Sequence, residues 1–284
     1  MNVLVTGVKG QLGYDVCKRL DALGISYKGV DIEDCDLTKR EQVLALVEGY
    51  RPDAVIHCAA YTAVDKAEDN RELVTAVNVG GTRNVAEACK AVGAKMVYIS
   101  TDYVFDGSGA QEWKPDDARC PVNFYGLSKA QGEDAVRETL DRHFIVRITW
   151  AFGINGNNII KTVLRLGKER EELSFVTDQI ASPTYTADLA VLLCDMIQTD
   201  QYGTYHATNE GYCSSCELAC AILKEAGITT CRISPILTAD YPSRAARPLN
   251  SRLSKDKLEE AGFRRLPSWQ DALHRFVQEF ESRT

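Results

Sequence analysis

The sequence predicts an α/β fold: a doubly wound parallel sheet followed by a smaller α+β lobe. Three observations carry this. Short apolar runs alternate with segments of helical periodicity through the first half of the chain. Glycines cluster where the first such run meets the first such segment. After Trp150 the alternation stops.

The strand-like runs are NVLVT (Asn2 to Thr6), SYKGVD (Ser26 to Asp31), DAVIHCAA (Asp53 to Ala60), KMVYIST (Lys95 to Thr101) and FIVRIT (Phe144 to Thr149). The segments between them, such as GQLGYDVCKRLDALG and NVGGTRNVAEACKAVG, carry apolar residues at helical spacing and end in glycine, a helix stop. Such units build a parallel sheet covered on both faces. Beyond Trp150, loop-like AFGINGNN leads into helical IIKTVLRLGKE, strand-like LSFVTD and helical TADLAVLLCDMIQ. The last third, from about Thr208, mixes one strand-like stretch (Cys231 to Leu237) with helical ones, ending in WQDALHRFVQEF. We expect residues 1–150 to form the main domain and 151–284 to form mainly a second lobe. The chain should return to the main sheet over roughly 173–206. No internal repeat or low-complexity linker is present.

Composition narrows the function classes. With 284 residues, 45% hydrophobic and 26% charged, the chain is ordinary globular material. Its net charge of −7 gives no attraction for a nucleic-acid polyanion, so no nucleic-acid partner is expected. The start, MNVLVTG, is already a strand pattern without the basic and apolar regions of a leader. No apolar run approaches the roughly 18 residues that span a bilayer, so no membrane partner is expected. Ten scattered cysteines, several inside apolar runs, read as small hydrophobes in a reduced, cytoplasmic protein. The pair Cys213 and Cys216 lacks a second pair at zinc spacing, and Ser214 with Glu217 forms an S-x-x-E capping box there. The four histidines are dispersed. No metal site is assigned.

The first strand runs into TGVKGQLG, a G-x-x-G-x-x-G pattern of Gly7, Gly10 and Gly13, with Gln11 and Leu12 between the last two. Between a strand and a helix, such glycines permit a tight turn and bring helix N-terminal N–H groups to a pyrophosphate. This is the dinucleotide loop of a Rossmann sheet; turn glycines alone are the bland alternative. Asp31, at the end of the second strand, suits the adenosine ribose hydroxyls and tilts the site toward NADH over NADPH. Nearby Lys28 could relax that preference. Asp36 and Leu37, in CDLT, are candidates for the adenine edge.

In NFYGLSKAQGE, Tyr125 precedes Lys129 by four residues, which places both on one helical face. Alone, this spacing is common. Together with the long glycine spacing, HCAAYT after the third strand, NVGGTRN and ISTDYVFDG, it resembles the extended short-chain dehydrogenase/reductase family. The resemblance implies that Tyr125 gives a proton to a carbonyl oxygen and that Thr101 holds that oxygen. Lys129 would pull the phenol from its ordinary pKa of about 10 toward working pH and reach the nicotinamide ribose. It also implies cofactor contacts at Ala59, Ala60, Thr62 and Asn78.

The ordered set CAAYTAVDKAED, STDYVFDG, YGLSKAQGE, RITWAFG, ASPTYTADLA and RPLNSRLS narrows this to the dTDP-4-dehydrorhamnose reductases, over essentially the full chain. That resemblance implies NADPH- or NADH-dependent reduction of the C4 ketone of dTDP-4-dehydro-6-deoxy-L-mannose, serving cell-surface polysaccharide synthesis. The second lobe would be the substrate lobe. Val64, Thr101, Asp102, Tyr103, Tyr125, Trp150, Arg244 and Arg247 would meet the dTDP-keto-sugar. The arginine fork suits a diphosphate, although a solvated cluster is the alternative for Arg244 and Arg247; Trp150 and Tyr103 read equally as core aromatics. The protein would be a monomer or homodimer. Some members bind a divalent ion through glutamates at a dimer contact; here the nearest residues are Asp15 and Asp188, so Mg²⁺ is not assigned. A dehydratase would carry Glu where Tyr103 stands. Another nucleotide-sugar reductase, an epimerase with the same Tyr and Lys, or a non-catalytic regulatory subunit of the same fold stays open.

Overall fold

The computed structural model describes residues 1–283. Alternating strands and helices build the first half: β1 (Asn2–Thr6), α1 (Gln11–Leu23), β2 (Ser26–Val30), α2 (Arg40–Tyr50), β3 (Ala54–His57), α3 (Val64–Ala67), α4 (Arg71–Thr75), α5 (Thr82–Val92), β4 (Lys95–Thr101), α6 (Phe124–Thr139) and β5 (His143–Ile148). A π-helical stretch, Ala76–Gly81, joins α4 to α5. The rest comprises β6 (Ala151–Phe152), α7 (Ile159–Glu169), β7 (Glu172–Val176), β8 (Ile180–Ala181), β9 (Thr184–Tyr185), α8 (Thr186–Met196), β10 (Gly203–His206), β11 (Cys213–Ser214), α9 (Ser215–Glu225), β12 (Arg232–Ile236), β13 (Asn250–Ser251), α10 (Asp256–Glu260) and α11 (Trp269–Glu281).

The main sheet has six strands in the order β10-β5-β4-β3-β1-β2, every pair parallel. Strands this apolar need cover on both faces. Val3, Val5, Ile56 and Val146 pack with Leu12, Val16 and Leu20 of α1 and with Leu189 and Leu193 of α8. On the other face, Leu4, Val55, Met96 and Ile145 pack with residues of α2, α5 and α6. Because β2 and β3 lie on opposite sides of β1, the connections diverge there. A crevice opens at the C-terminal ends of β1 and β3, the usual ligand position in such sheets.

Strand ends differ slightly from the sequence expectation. β2 stops at Val30, because the next residue, Asp31, turns its carboxylate back onto the backbone N–H groups of Lys9 and Ile32. The expected return over 173–206 divides. β7 pairs with β12, away from the main sheet, whereas α8 packs on α1 and β10 extends the sheet beyond β5.

The second lobe has its own core, in which Phe152, Ile160, Val163, Ile222, Trp269 and Phe276 are buried. Its helices start where side chains cap them: Asn158 for α7, Ser214 for α9 and Ser268 for α11. The Ser214–Glu217 capping box is complete, which accounts for Cys213 and Cys216 as packing residues beside it. All ten cysteines are free.

Candidate active site

A cavity of about 790 Å³ opens at the C-terminal ends of β1, β3, β4 and β5. One wall is the glycine loop. Gly7 adopts φ +72°, and a Cβ there would stand 2.8 Å from the Ala59 nitrogen, so the ends of β1 and β3 touch only because the side chain is missing. A Cβ on Gly13 would meet the Gly7 carbonyl oxygen at 2.2 Å. Glycine at both places lets α1 begin directly over the crevice. Gly10 caps α1 without any side-chain acceptor, so its first N–H groups are left to a ligand.

Gln11, Leu12, Ala59, Ala60 and Thr62 also line this cavity. Gln11 does more: its Oε1 accepts from Gly153 N and Asn158 Nδ2, both at 2.9 Å, tying α1 to the loop before α7. Asp31, Asp36 and Leu37 line the outer end. Asp31 Oδ2 accepts from Lys9 N at 2.8 Å. The Asp36 carboxylate accepts from Thr38 Oγ1 at 2.7 Å, and the Thr38 hydroxyl and N–H hold it below the ordinary range. The uncapped helix start, the glycine cradle and an acidic group at the far end fit a dinucleotide.

The other end of the cavity holds Thr101, Asp102, Tyr103, Tyr125 and Lys129, with Val64 and Trp150 at its edge. Asn123 caps α6, its Oδ1 accepting from Gly126 N at 2.8 Å, which places Tyr125 in the first turn and Lys129 one turn on. Glycines let α6 approach β4. A Cβ at Gly126 would lie 2.1 Å from the Tyr103 carbonyl, and one at Gly132 would lie 2.2 Å from the Tyr98 hydroxyl. The Tyr125 and Tyr103 rings meet edge to face at 5.7 Å. Trp150 sits past β5 with φ +41°, a left-handed conformation costly for a bulky residue.

Electrostatics bears on one expectation. Burial pushes the Tyr125 phenol up, the Asp102 charge adds to this, and the neighbouring Thr101 hydroxyl partly opposes it. Burial likewise drives Lys129 down to about 7, with Glu133 pulling the other way. For the phenol itself burial is the largest influence, and it acts against the downward pull expected of Lys129. Asp102 is raised to about 6 by burial, although Ser251 and Thr101 donate to it.

Asn78 does not line the cavity. It is buried in the π-helical stretch, where Oδ1 accepts from Tyr61 N at 2.8 Å and Nδ2 donates to Ser128 Oγ at 2.9 Å. It ties the loop after β3 to α6. Arg244 and Arg247 also lie outside. Arg244 is exposed and pairs with Asp69, and Arg247 Nη2 reaches Asp65 Oδ2 at 2.9 Å. Both guanidiniums are engaged by carboxylates around α3, and so tie the 244–247 loop to the main domain.

Sequence reasoning missed a buried cluster behind Lys129. Glu133, fully buried, accepts from Arg147 Nε and Ser100 Oγ, each at 2.7 Å. Arg119 and Arg137 flank it, and His206 lies 3.3 Å from Arg147 Nη1. The signal was an arginine inside the apolar run FIVRIT. Ser251 was missed too, because nothing in RPLNSRLS marks it as reaching Asp102. Asp15 bonds Thr186, and Asp188 pairs with Arg275 and Asn209, so both are taken up internally. No group of three or more His, Cys, Asp or Glu placed to hold a metal ion occurs among the described residues, nor any helix long and apolar enough to cross a membrane.

Comparison with known proteins places the whole chain in one family. Residues 1–282 match the family model described as the RmlD substrate binding domain. The Bacillus subtilis spore coat polysaccharide biosynthesis protein SpsK is 38% identical over 280 residues, covering 99% of this chain and 98% of that protein. The Escherichia coli dTDP-4-dehydrorhamnose reductase is 36% identical over 297 residues, covering 100% and 99% respectively. A crystal structure of dTDP-4-dehydrorhamnose reductase from Bacillus anthracis in complex with NADP superimposes with a TM-score of 0.95 at 45% identity, covering 98% of this chain and 99% of that one.

Proposed function

The chain belongs to the RmlD substrate binding domain family, and from that premise we infer that it is a dTDP-4-dehydrorhamnose reductase. It is an NAD(P)H-dependent oxidoreductase that reduces the C4 ketone of dTDP-4-dehydro-6-deoxy-L-mannose to give dTDP-L-rhamnose. The observation that carries the reading is the convergence of Thr101, Tyr125 and Lys129 on the same cavity as the uncapped start of α1.

We assign the roles as follows. The glycine loop, Gly7 to Gly13, holds the dinucleotide pyrophosphate at the N-terminus of α1, and Asp31 faces the adenosine ribose. Bound there, the dihydronicotinamide supplies hydride. The Tyr125 hydroxyl gives its proton to the ketone oxygen as negative charge develops on it. A phenol kept protonated by burial is suited to that task. Lys129, when charged, stabilises the phenolate left behind, and Thr101 fixes the oxygen in place. Val64, Asp102, Tyr103 and Trp150 surround the sugar. Tyr103 stands where a dehydratase needs a carboxylate base, which speaks against dehydration. The residue 1–150 unit, joined by α8 and β10, serves the dinucleotide, and the remainder serves the nucleotide sugar. Free cysteines throughout suit a reducing, cytoplasmic setting.

The test is loss of nicotinamide absorbance when the purified chain alone meets enzymatically generated dTDP-keto-sugar, with NADPH and NADH in parallel. Tyr125→Phe should lose at least about 10²-fold in kcat while still binding dinucleotide. No turnover with either nicotinamide would refute the reductase reading.

A further inference from the structure

Asp102 is a buried carboxyl with a hydroxyl on each oxygen. Thr101 Oγ1 donates to Oδ1 at 2.9 Å, and Ser251 Oγ donates to Oδ2. Thr101, Asp102 and Ser251 are each less than a tenth exposed, so water does not compete for these bonds. The donors come from different parts of the fold: Thr101 ends β4 of the main sheet, and Ser251 lies in β13, which pairs with β8 of the second lobe. β13 is held firmly through its own Asn250, next to Ser251, whose N–H donates to the Gly107 carbonyl at 3.0 Å and whose side chain donates to the Gln111 carbonyl at 2.8 Å.

This arrangement bears on Thr101. Its oxygen already accepts from Tyr103 N at 3.2 Å, and its proton is directed at Asp102. A hydroxyl has one proton, so it cannot serve Asp102 and a reacting oxygen at once. The stronger the pull of the carboxylate, the less Thr101 can give to substrate. A second donor on Asp102 weakens that pull, because the negative charge is then shared between two bonds.

We propose that Ser251 is a positioning residue for the reduction: from the second lobe it occupies Asp102, and so releases the Thr101 hydroxyl to the substrate oxygen. The inference rests on the reductase reading and adds a residue to it. It also links the two lobes chemically, since any shift of β13 changes the donor set of a group touching the reacting centre.

The Asp102 carboxyl has few other charges to answer to. Tyr125 on α6 and Tyr103 on its own turn feel its charge, while Arg247 and Asp65 act on Tyr103 from beyond. Lys129 lines the same cavity. Directly after β13, Arg252 is turned back onto Asn250 Oδ1 at 2.9 Å.

The experiment is a double-mutant cycle of Ser251→Ala and Asp102→Asn, with Ser251→Thr as the conservative variant. Ser251→Ala should lower kcat about tenfold with a smaller change in KM for the keto-sugar nucleotide. Ser251→Thr should recover most of the loss. In the Asp102→Asn background the alanine change should be nearly silent, because no carboxylate is left to restrain. Equal losses in both backgrounds, or no loss in the parent, would overturn the proposal. If the parent chain reduces no keto-sugar nucleotide at all, the reductase reading falls instead. The Ser251–Asp102 link is then decided by urea unfolding of the same four proteins. Their coupling should be present at about pH 8, with the carboxyl ionised, and shrink at about pH 4.5, with it neutral. A coupling that is absent or independent of pH sinks it.

Discussion

The Lys129 ammonium stands 4.1 Å from the centroid of the Tyr98 ring, at the floor of the cavity and away from water. The ring's negative face partly replaces lost hydration, which an aliphatic neighbour would not do. Behind it, Glu133 pulls the lysine toward its charged form. A charge that the proposed mechanism uses is thus held where burial opposes it, and the balance falls near neutrality.

That balance predicts a pH signature. Burial brings Lys129 down to about 7 from its ordinary 10.5. The unfolded chain therefore holds a proton that the folded chain lacks between those values, and stability rises with pH across that window. Below it both forms are charged and the fold carries the full burial cost. Lys129→Met should be more stable than the parent at about pH 6, by about 1 kcal/mol or more, and this gain should fade toward about pH 10. Its kcat should drop by about 10²-fold or more. Urea melts at several pH values check the first, and steady-state rates the second.

Gly13 separates two costs. A Cβ there collides with the Gly7 carbonyl at 2.2 Å, whereas at Gly24 (φ +64°) nothing lies within 4 Å. Gly24→Ala should cost only the left-handed backbone penalty, about 1 kcal/mol, and leave dinucleotide binding intact. Gly13→Ala should displace the loop from α1 and weaken dinucleotide binding by at least about tenfold. Calorimetric titration with NADPH and thermal melts distinguish them. Equal affinities in the two variants would contradict the cradle.

Asp31 predicts a change in cofactor choice. Its carboxylate faces the outer end of the cavity and also accepts from Lys9 N and Ile32 N. Asp31→Ala should raise both KM values by loosening the loop, but that for NADH more. Removing the negative charge relieves repulsion of a 2′-phosphate, so the NADPH to NADH ratio of kcat/KM should rise about tenfold. An unchanged ratio would mean that Asp31 serves the loop alone.

How much of this was legible in the sequence depends on whether a signal was local. Gly7 to Gly13, Thr101, Tyr125 and Lys129 could be found because turn chemistry and helical spacing bind neighbours in the chain. The arrangement of Ser251 against Asp102 joins residues 149 apart, and no periodicity encodes such a contact. Arg244 and Arg247 were readable as cations but not as partners of Asp69 and Asp65, since surface pairing is set by how lobes dock. The direction of the Tyr125 shift needed burial, which spacing does not report. The resemblance pointed to Asn78 as a cofactor contact, yet its bonds go to Tyr61 and Ser128 rather than into the cavity.

The buried pair of Glu133 and Arg147 gives the last prediction. Burial opposes the Glu133 charge, but the bonds and charge of Arg147, with Ser100 and Arg137, hold its carboxyl down to about 2. Because its ordinary value is 4.5, the stability it contributes is present above that pH and is lost as pH falls toward about 2. Glu133→Gln leaves Arg147 charged and without its partner in the core, and should cost about 3–5 kcal/mol at neutral pH. The double variant Glu133→Gln with Arg147→Met removes the stranded charge and should be closer to the parent than the single one. Urea unfolding at about pH 7 measures both. The same substitution also withdraws the negative charge that supports Lys129, so the kcat profile of Glu133→Gln should lose its plateau at lower pH than the parent. A variant destabilised as expected but with an unmoved profile would confine Glu133 to the fold and leave Tyr98 as the group that sustains the lysine charge.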